Sequence, residues 1–83
     1  MKNLLIISSK KYLSKKISKD IFKILDKNKF NYATHEIDSL EEEKYRSNKI
    51  DLVISIGGDG TALKAMRIAW QLNSPLINIG PGR

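Results

Sequence analysis

Leu52-Val53-Ile54-Ser55-Ile56-Gly57-Gly58-Asp59-Gly60-Thr61 is the stretch on which the fold turns. Its first five residues are almost continuously apolar, as expected of a strand covered on both faces. Three glycines in the four positions 57–60 then break the strand. Beyond them Ala62, Ala65, Met66, Ala69 and Trp70 recur at i, i+3, i+4, i+7 and i+8. That spacing predicts a helix with an apolar stripe, and puts Met66 and Trp70 in the core. Asn73-Ser74-Pro75 stops the helix, and Leu76 to Ile79 reads as the next strand.

The same alternation holds upstream. Leu4 to Ser8 reads as a buried strand. From Tyr12 to Lys29 the period changes to helical, with Leu13, Ile17, Ile21, Ile24 and Leu25 on the apolar side and lysines on the other. The Asn28-Lys29 region ends this helix. Asn31 to Ile37 reads as a second strand, with the lone His35 as a strand-edge polar residue. Ser39 to Lys44 carries an N-cap signal and first-turn glutamates, Glu41 to Glu43, which favour a short helix. Asp51 ends the loop before the main strand. Strands alternating with helices predict an α/β fold, a three-layer Rossmann-like domain with about four parallel strands.

The chain has 83 residues, enough for one small domain with thin stability margins. No apolar run approaches the roughly 18 residues that a membrane span needs. The first residues turn polar too soon for a secretory signal, so a cytoplasmic location is the expectation. Cysteine is absent, which excludes disulfides and thiolate metal sites. The net charge of +6 favours anionic ligands. Lysine supplies most of that charge and arginine, the usual reader of bases, is rare, so solvated helix faces are expected rather than a nucleic-acid surface. A metal site on His35 is not expected without a partner ligand.

Residues 57–61 carry the chemistry. Glycine lets a backbone adopt positive φ and come close to a ligand. A helix following such a loop turns its free N–H groups and positive dipole end toward it, making a phosphate-binding corner. A carboxylate in that corner, Asp59, makes sense if it takes a proton from a hydroxyl or helps hold a bridging cation. A tight Asp59-Gly60 hairpin is the competing reading, but the helical period of residues 62–70 opposes it. A plain strand-to-helix turn, capped by Asp59 or Thr61, stays open on spacing alone.

The whole segment resembles the signature of the NAD kinase superfamily, which includes diacylglycerol and sphingosine kinases and, more distantly, 6-phosphofructokinases. Gly57-Gly58-Asp59-Gly60-Thr61 after a hydrophobic strand, then Leu63, Lys64, Ala65 and Arg67, is similar to the NAD kinase pattern. Pro75 to Arg83 looks like the proline-led strand and Gly-Arg turn that follow. The resemblance implies that Asp59 is the base that activates the 2′-hydroxyl on the adenosine ribose of NAD for attack on the terminal phosphate of ATP or polyphosphate. It implies that Gly57, Gly58 and Gly60 offer backbone amides to phosphate or ribose oxygens, that Thr61 adds a hydroxyl, and that Lys64 reaches a phosphate. NAD and ATP are the implied small-molecule partners, with Mg2+ neutralising phosphate charge.

The sequence departs from the family in two places. Ala62 stands where leucine is common, and Gly80 stands where the family has asparagine. The family's second signature, in a carboxy-terminal β-rich domain, has no counterpart. The chain is therefore expected to be the amino-terminal α/β piece, residues 1–83, of a longer protein that forms a homo-oligomer, and to be inactive alone. A diacylglycerol-type lipid kinase is one alternative, although residues 80–83 do not fit its Gly-Thr-Gly pattern. A non-catalytic nucleotide-binding or oligomerisation piece is the other.

Overall fold

A computed structural model describes residues 3–13, 15–36 and 49–80. They form seven elements in chain order: β1 (Asn3–Ser8), α1 (Lys10–Leu13), α2 (Lys16–Lys27), β2 (Asn31–Glu36), β3 (Leu52–Ile56), α3 (Asp59–Gln71) and β4 (Leu76–Ile79). The strands make one parallel sheet in the order β2-β1-β3-β4. The expected α/β architecture is what the described residues adopt, with four parallel strands among them.

Side chains alternate across the sheet, as the pleat requires. Leu5, Ile7 and Val53 point to one face and pack against Ala65, Ile68 and Ala69 of α3. Leu4, Ile6, Ile54 and Ile56 point to the other and pack against Leu25, Ile21 and Phe22 of α2. Helices thus cover both faces, giving three layers. This double cover is why β1 and β3 read as unbroken apolar runs. The order of the strands reverses the direction of chain travel between β1 and β3. Their carboxyl ends, at Ser8 and Ile56, are paired neighbours in the register. In open parallel sheets that switch point is where ligands sit.

Two features of the helices differ from the sequence reading. The single helix expected over residues 12–29 is broken: Lys15 is extended (φ −74, ψ 155) and separates α1 from α2. The corner is stitched by the Ser18 hydroxyl, which donates to the Tyr12 carbonyl. This break turns α2, so Ser18 and Leu25 are buried while Ile17 and Ile24 are exposed. The far end closes as expected near Asn28. Lys29 takes the left-handed conformation (φ 59), and the amides of Phe30 and Lys29 donate to the carbonyls of Leu25 and Asp26, a Schellman closure.

The second correction concerns α3. Its buried residues are Thr61, Ala65, Ile68 and Ala69, whereas Met66 and Trp70 are exposed, Trp70 at 83%. The reason lies at the start of the helix. Thr61 is tucked under the glycine loop, which fixes the rotation of everything after it. At roughly 100° per residue, positions four, seven and eleven residues on return to the same side, while Trp70, nine residues on, lies roughly opposite. Asn73 (φ 55) then ends α3 as anticipated, with the Ser74 amide donating to the Ala69 carbonyl.

At the amino edge of the sheet Asp51 ends the loop before β3, as read from sequence. Its carboxylate accepts from the Asn3 amide at 2.8 Å, and its own amide donates to the Asn3 carbonyl at 2.8 Å. His35 lies on the edge strand β2, in register with Ile7. The short helix expected over residues 39–44 lies outside the described residues, as does Ile37.

Candidate functional site

The polypeptide leaves β3 at Ile56, turns through Gly57 and Gly58, and enters α3 at Asp59. No hairpin forms. Gly57 has φ +154, a conformation that side-chain-bearing residues rarely adopt. A Cβ there would also sit 2.7 Å from Thr61 Oγ1 and 3.0 Å from Thr61 Cβ. Both conformation and space therefore demand glycine at this corner. The Gly57 amide donates to the Ile79 carbonyl at 3.1 Å, which ties the loop to the end of β4.

Gly58 is the N-cap of α3, and no side chain caps the helix. The first intrahelical bond runs from the Ala62 amide to the Gly58 carbonyl at 3.1 Å. The amides of the first turn have no acceptor inside the helix and face the carboxyl end of the sheet with the positive end of the dipole. Gly58 and Gly60 have open space around the position of a Cβ, so a ligand can approach the backbone there. Asp59 occupies the first helical position, and its side chain is exposed. It is not turned into the apolar interior. Lys64 follows one turn later and is half-buried. The carboxylate, the two open glycines and the first-turn amides are thus brought to one place by the sharpness of the corner.

Thr61 and Gly57 are buried, whereas Gly58, Asp59 and Gly60 are exposed, so the Thr61 hydroxyl does not share their open position. Thr61 is 6% exposed and packs beneath Gly57, supporting the corner from inside. The mismatch at Gly80 also acquires a reason: a Cβ on Gly80 would lie 2.9 Å from the Gly57 carbonyl oxygen. Asn78 points to the α3 side of the sheet, where its Oδ1 accepts from the Ser55 hydroxyl.

Sequence reasoning missed the other side of the switch point. Ser9 follows the carboxyl end of β1, and its Oγ is buried without a hydrogen-bond partner among the described residues. Buried hydroxyls are normally paired. A cleft of about 400 Å³ opens on the α2 face at the carboxyl ends of β3 and β4, rimmed by Lys11, Lys15 and Lys16. Those lysines read from sequence as a solvated helix face, because nothing local marks which lysines border a cleft. Among the described residues no group of three or more His, Cys, Asp or Glu is placed to hold a metal ion. None of the described helices is long and apolar enough to cross a membrane.

Comparison with known proteins agrees with the geometry. An NAD kinase of Treponema pallidum (strain Nichols) is 35% identical over 82 residues, covering 99% of this chain and 27% of the relative. An NAD kinase of Treponema denticola is 32% identical over 82 residues, covering 99% and 29%. An NAD kinase of Legionella pneumophila (strain Corby) is 51% identical over 35 residues, covering 42% and 12%. Matched over nearly its whole length, the chain spans less than a third of the length of the two Treponema relatives. The family described as ATP-NAD kinase N-terminal domain matches residues 5–83, and the chain belongs to that family.

Proposed function

We propose that this chain is the amino-terminal α/β part of an enzyme that phosphorylates the 2′-hydroxyl on the adenosine ribose of NAD, with ATP as donor, to give NADP. The observation that carries the reading is the corner at residues 56–61. It sets an exposed carboxylate, Asp59, beside open glycine backbone at the start of a 13-residue helix. Asp59 takes the proton of the 2′-hydroxyl as that oxygen attacks the terminal phosphorus. The bond from that phosphorus to its bridging oxygen breaks, and ADP leaves. The backbone at Gly58 and Gly60 and the first-turn amides bind phosphate or ribose oxygens, whereas the Gly57 amide, expected to share that role, is held by the Ile79 carbonyl. Thr61 holds the corner in shape. Lys64 adds positive charge one turn into the helix. Magnesium, when bound, would neutralise phosphate charge, its ligands coming largely from the phosphates.

The rest of the acceptor site belongs to the length that the relatives have beyond this chain, and the whole protein is a cytoplasmic homo-oligomer. The test is NADP formation by a polypeptide that continues past Arg83 to the length of its relatives. Asp59→Asn is expected to lower turnover by about 10²–10⁴-fold with an unchanged circular dichroism spectrum. Near-normal turnover would remove Asp59 as the base. The 83-residue chain alone is expected to form little or no NADP.

A further inference from the structure

The α2 face of the sheet is not covered out to its β4 edge. Among the described residues α1 and α2 are the helices that pack on this face, through Tyr12, Ile21, Phe22 and Leu25. Ser18 and Leu25 are the buried residues of α2. Asp26, the residue after Leu25, lies roughly 100° round the helix from it and accepts from Tyr32 of β2. Ile17 and Ile24, the residues before Ser18 and Leu25, lie roughly 100° round the other way, toward β3 and β4. Ile17 accordingly lines a cleft together with Ile56 and Ile79. Ile79 packs against the core cluster on this face, and Ile77, two residues earlier on the edge strand, points the same way. An open apolar groove thus runs between α2 and β4, with Ile17 39%, Ile24 59% and Ile77 48% exposed. Single exposed isoleucines are ordinary, but three around one groove mark an interaction site. Next round the helix from this stripe come Lys16, Lys23 and Lys27, all exposed, with Asp20 the one acid among them.

We propose that this groove seats an acidic amphipathic helix supplied by the length of the whole protein beyond this domain. Two relatives that match 99% of the chain have only 27% and 29% of their own length in the match. In them most of the polypeptide lies outside the domain, and a tethered segment reaches the groove at an effective concentration of about millimolar. A helix lying beside α2, at about 8–10 Å between axes, sets one apolar stripe on Ile77 and Ile79 and against Ile17 and Ile24, which stand about two turns apart. Its acidic flank then faces Lys16, Lys23 and Lys27, the charge complement of that rim. A second copy of the domain fits less well. Twofold use of the patch sets these lysines against their own counterparts, in a chain of net charge +6. The docking rests on the longer protein of the proposed function but on none of its chemistry.

The experiment is amide hydrogen exchange over residues 16–27, read by mass spectrometry at one dilute concentration. It compares the 83-residue chain with the polypeptide that continues past Arg83 to the length of its relatives. The α2 amides are expected to exchange at least about tenfold more slowly in the longer protein. Ile24→Glu and Ile77→Glu are each expected to remove that added protection, while in the 83-residue chain they change exchange by no more than about twofold. The double variant Lys16→Glu, Lys27→Glu is expected to remove it too, since an acidic flank is then repelled. Equal exchange in the two lengths, or protection that survives both isoleucine variants, would overturn the docking. Protection indifferent to the charge reversal would overturn the acidic partner. Protection that appears in the 83-residue chain as its concentration rises would give the groove to a second copy. If an isoleucine variant does not fold, the wild-type comparison and the exposed lysine pair decide. Failure here is separable from failure of the proposed function. NADP formed by a protein whose α2 exchanges as fast as in the 83-residue chain would leave the kinase standing and this docking wrong. Protection of α2 in a longer protein that forms no NADP would do the reverse.

Discussion

Gly80 and Gly57 meet backbone to backbone, close enough that a Cβ on Gly80 would lie 2.9 Å from the Gly57 carbonyl oxygen. The contact joins the end of β4 to the loop that follows β3, and it is reinforced by the bond from the Gly57 amide to Ile79. The obstacle is main chain and cannot swing aside. Gly80→Ala is therefore expected to destabilise the domain by about 1–3 kcal/mol, read as a lower urea midpoint. Gly60→Ala, where nothing lies within 4 Å of the new methyl, is the matched control and should be neutral or mildly stabilising. Equal losses at the two positions would show that the close approach does not govern stability.

Gly57 is constrained twice, by φ +154 and by the Thr61 side chain 2.7 Å from the position of a Cβ. Gly57→Ala should cost more than Gly80→Ala, since a backbone strain of about 1–3 kcal/mol adds to the overlap. Thr61→Ala removes Oγ1 but leaves Thr61 Cβ in place, so it should recover only part of that loss in the double variant. Urea unfolding of the four species measures the coupling. Strict additivity would contradict the packing of Thr61 beneath the loop.

Trp70 is the only tryptophan in the chain, and it is 83% exposed. Its fluorescence should have a solvent-like maximum in the folded protein and shift little on unfolding. Trp70→Lys is expected to alter stability by no more than about 0.5 kcal/mol. Ile68→Ala, two positions earlier and 1% exposed, should cost about 2–5 kcal/mol. A blue-shifted native spectrum would mean that the outer face of α3 is covered.

The Tyr32 hydroxyl donates to Asp26 Oδ1 at 2.8 Å, and its ring stacks on Phe22 with centroids 5.7 Å apart. The hydrogen bond to Asp26, then burial, then the nearby negative charge raise its pKa above the usual 10.0. Because the folded value is the higher one, the contribution to stability is complete below about pH 10 and is lost as pH rises through the folded value. Ultraviolet titration should resolve one tyrosine, Tyr32, ionising above the ordinary 10.0. Asp26→Asn should bring it back toward the ordinary range, and an unchanged titration would exclude the hydrogen bond as its cause.

Much of this was legible from neighbours in the chain. The apolar runs of β1 and β3, the glycine break, the stop at Asn73 and the motif from Gly57 to Thr61 all express local chemistry: alternation, backbone freedom, turn preference. Those patterns settled the element order, the parallel sheet and the loop that defines the family. The rotation of α3 did not follow from them. Residues 62–70 satisfy a helical stripe containing Trp70 as well as they satisfy the observed one. Contact between Thr61 and Gly57 chose between them, because an α-helix is rigid and its first anchored residue sets the direction of all the rest. The break at Lys15 and the cleft rimmed by Lys11, Lys15 and Lys16 were likewise decided by packing against the sheet. A lysine beside a cleft and a lysine in open solvent have the same neighbours in sequence, and only the fold assigns them different surroundings.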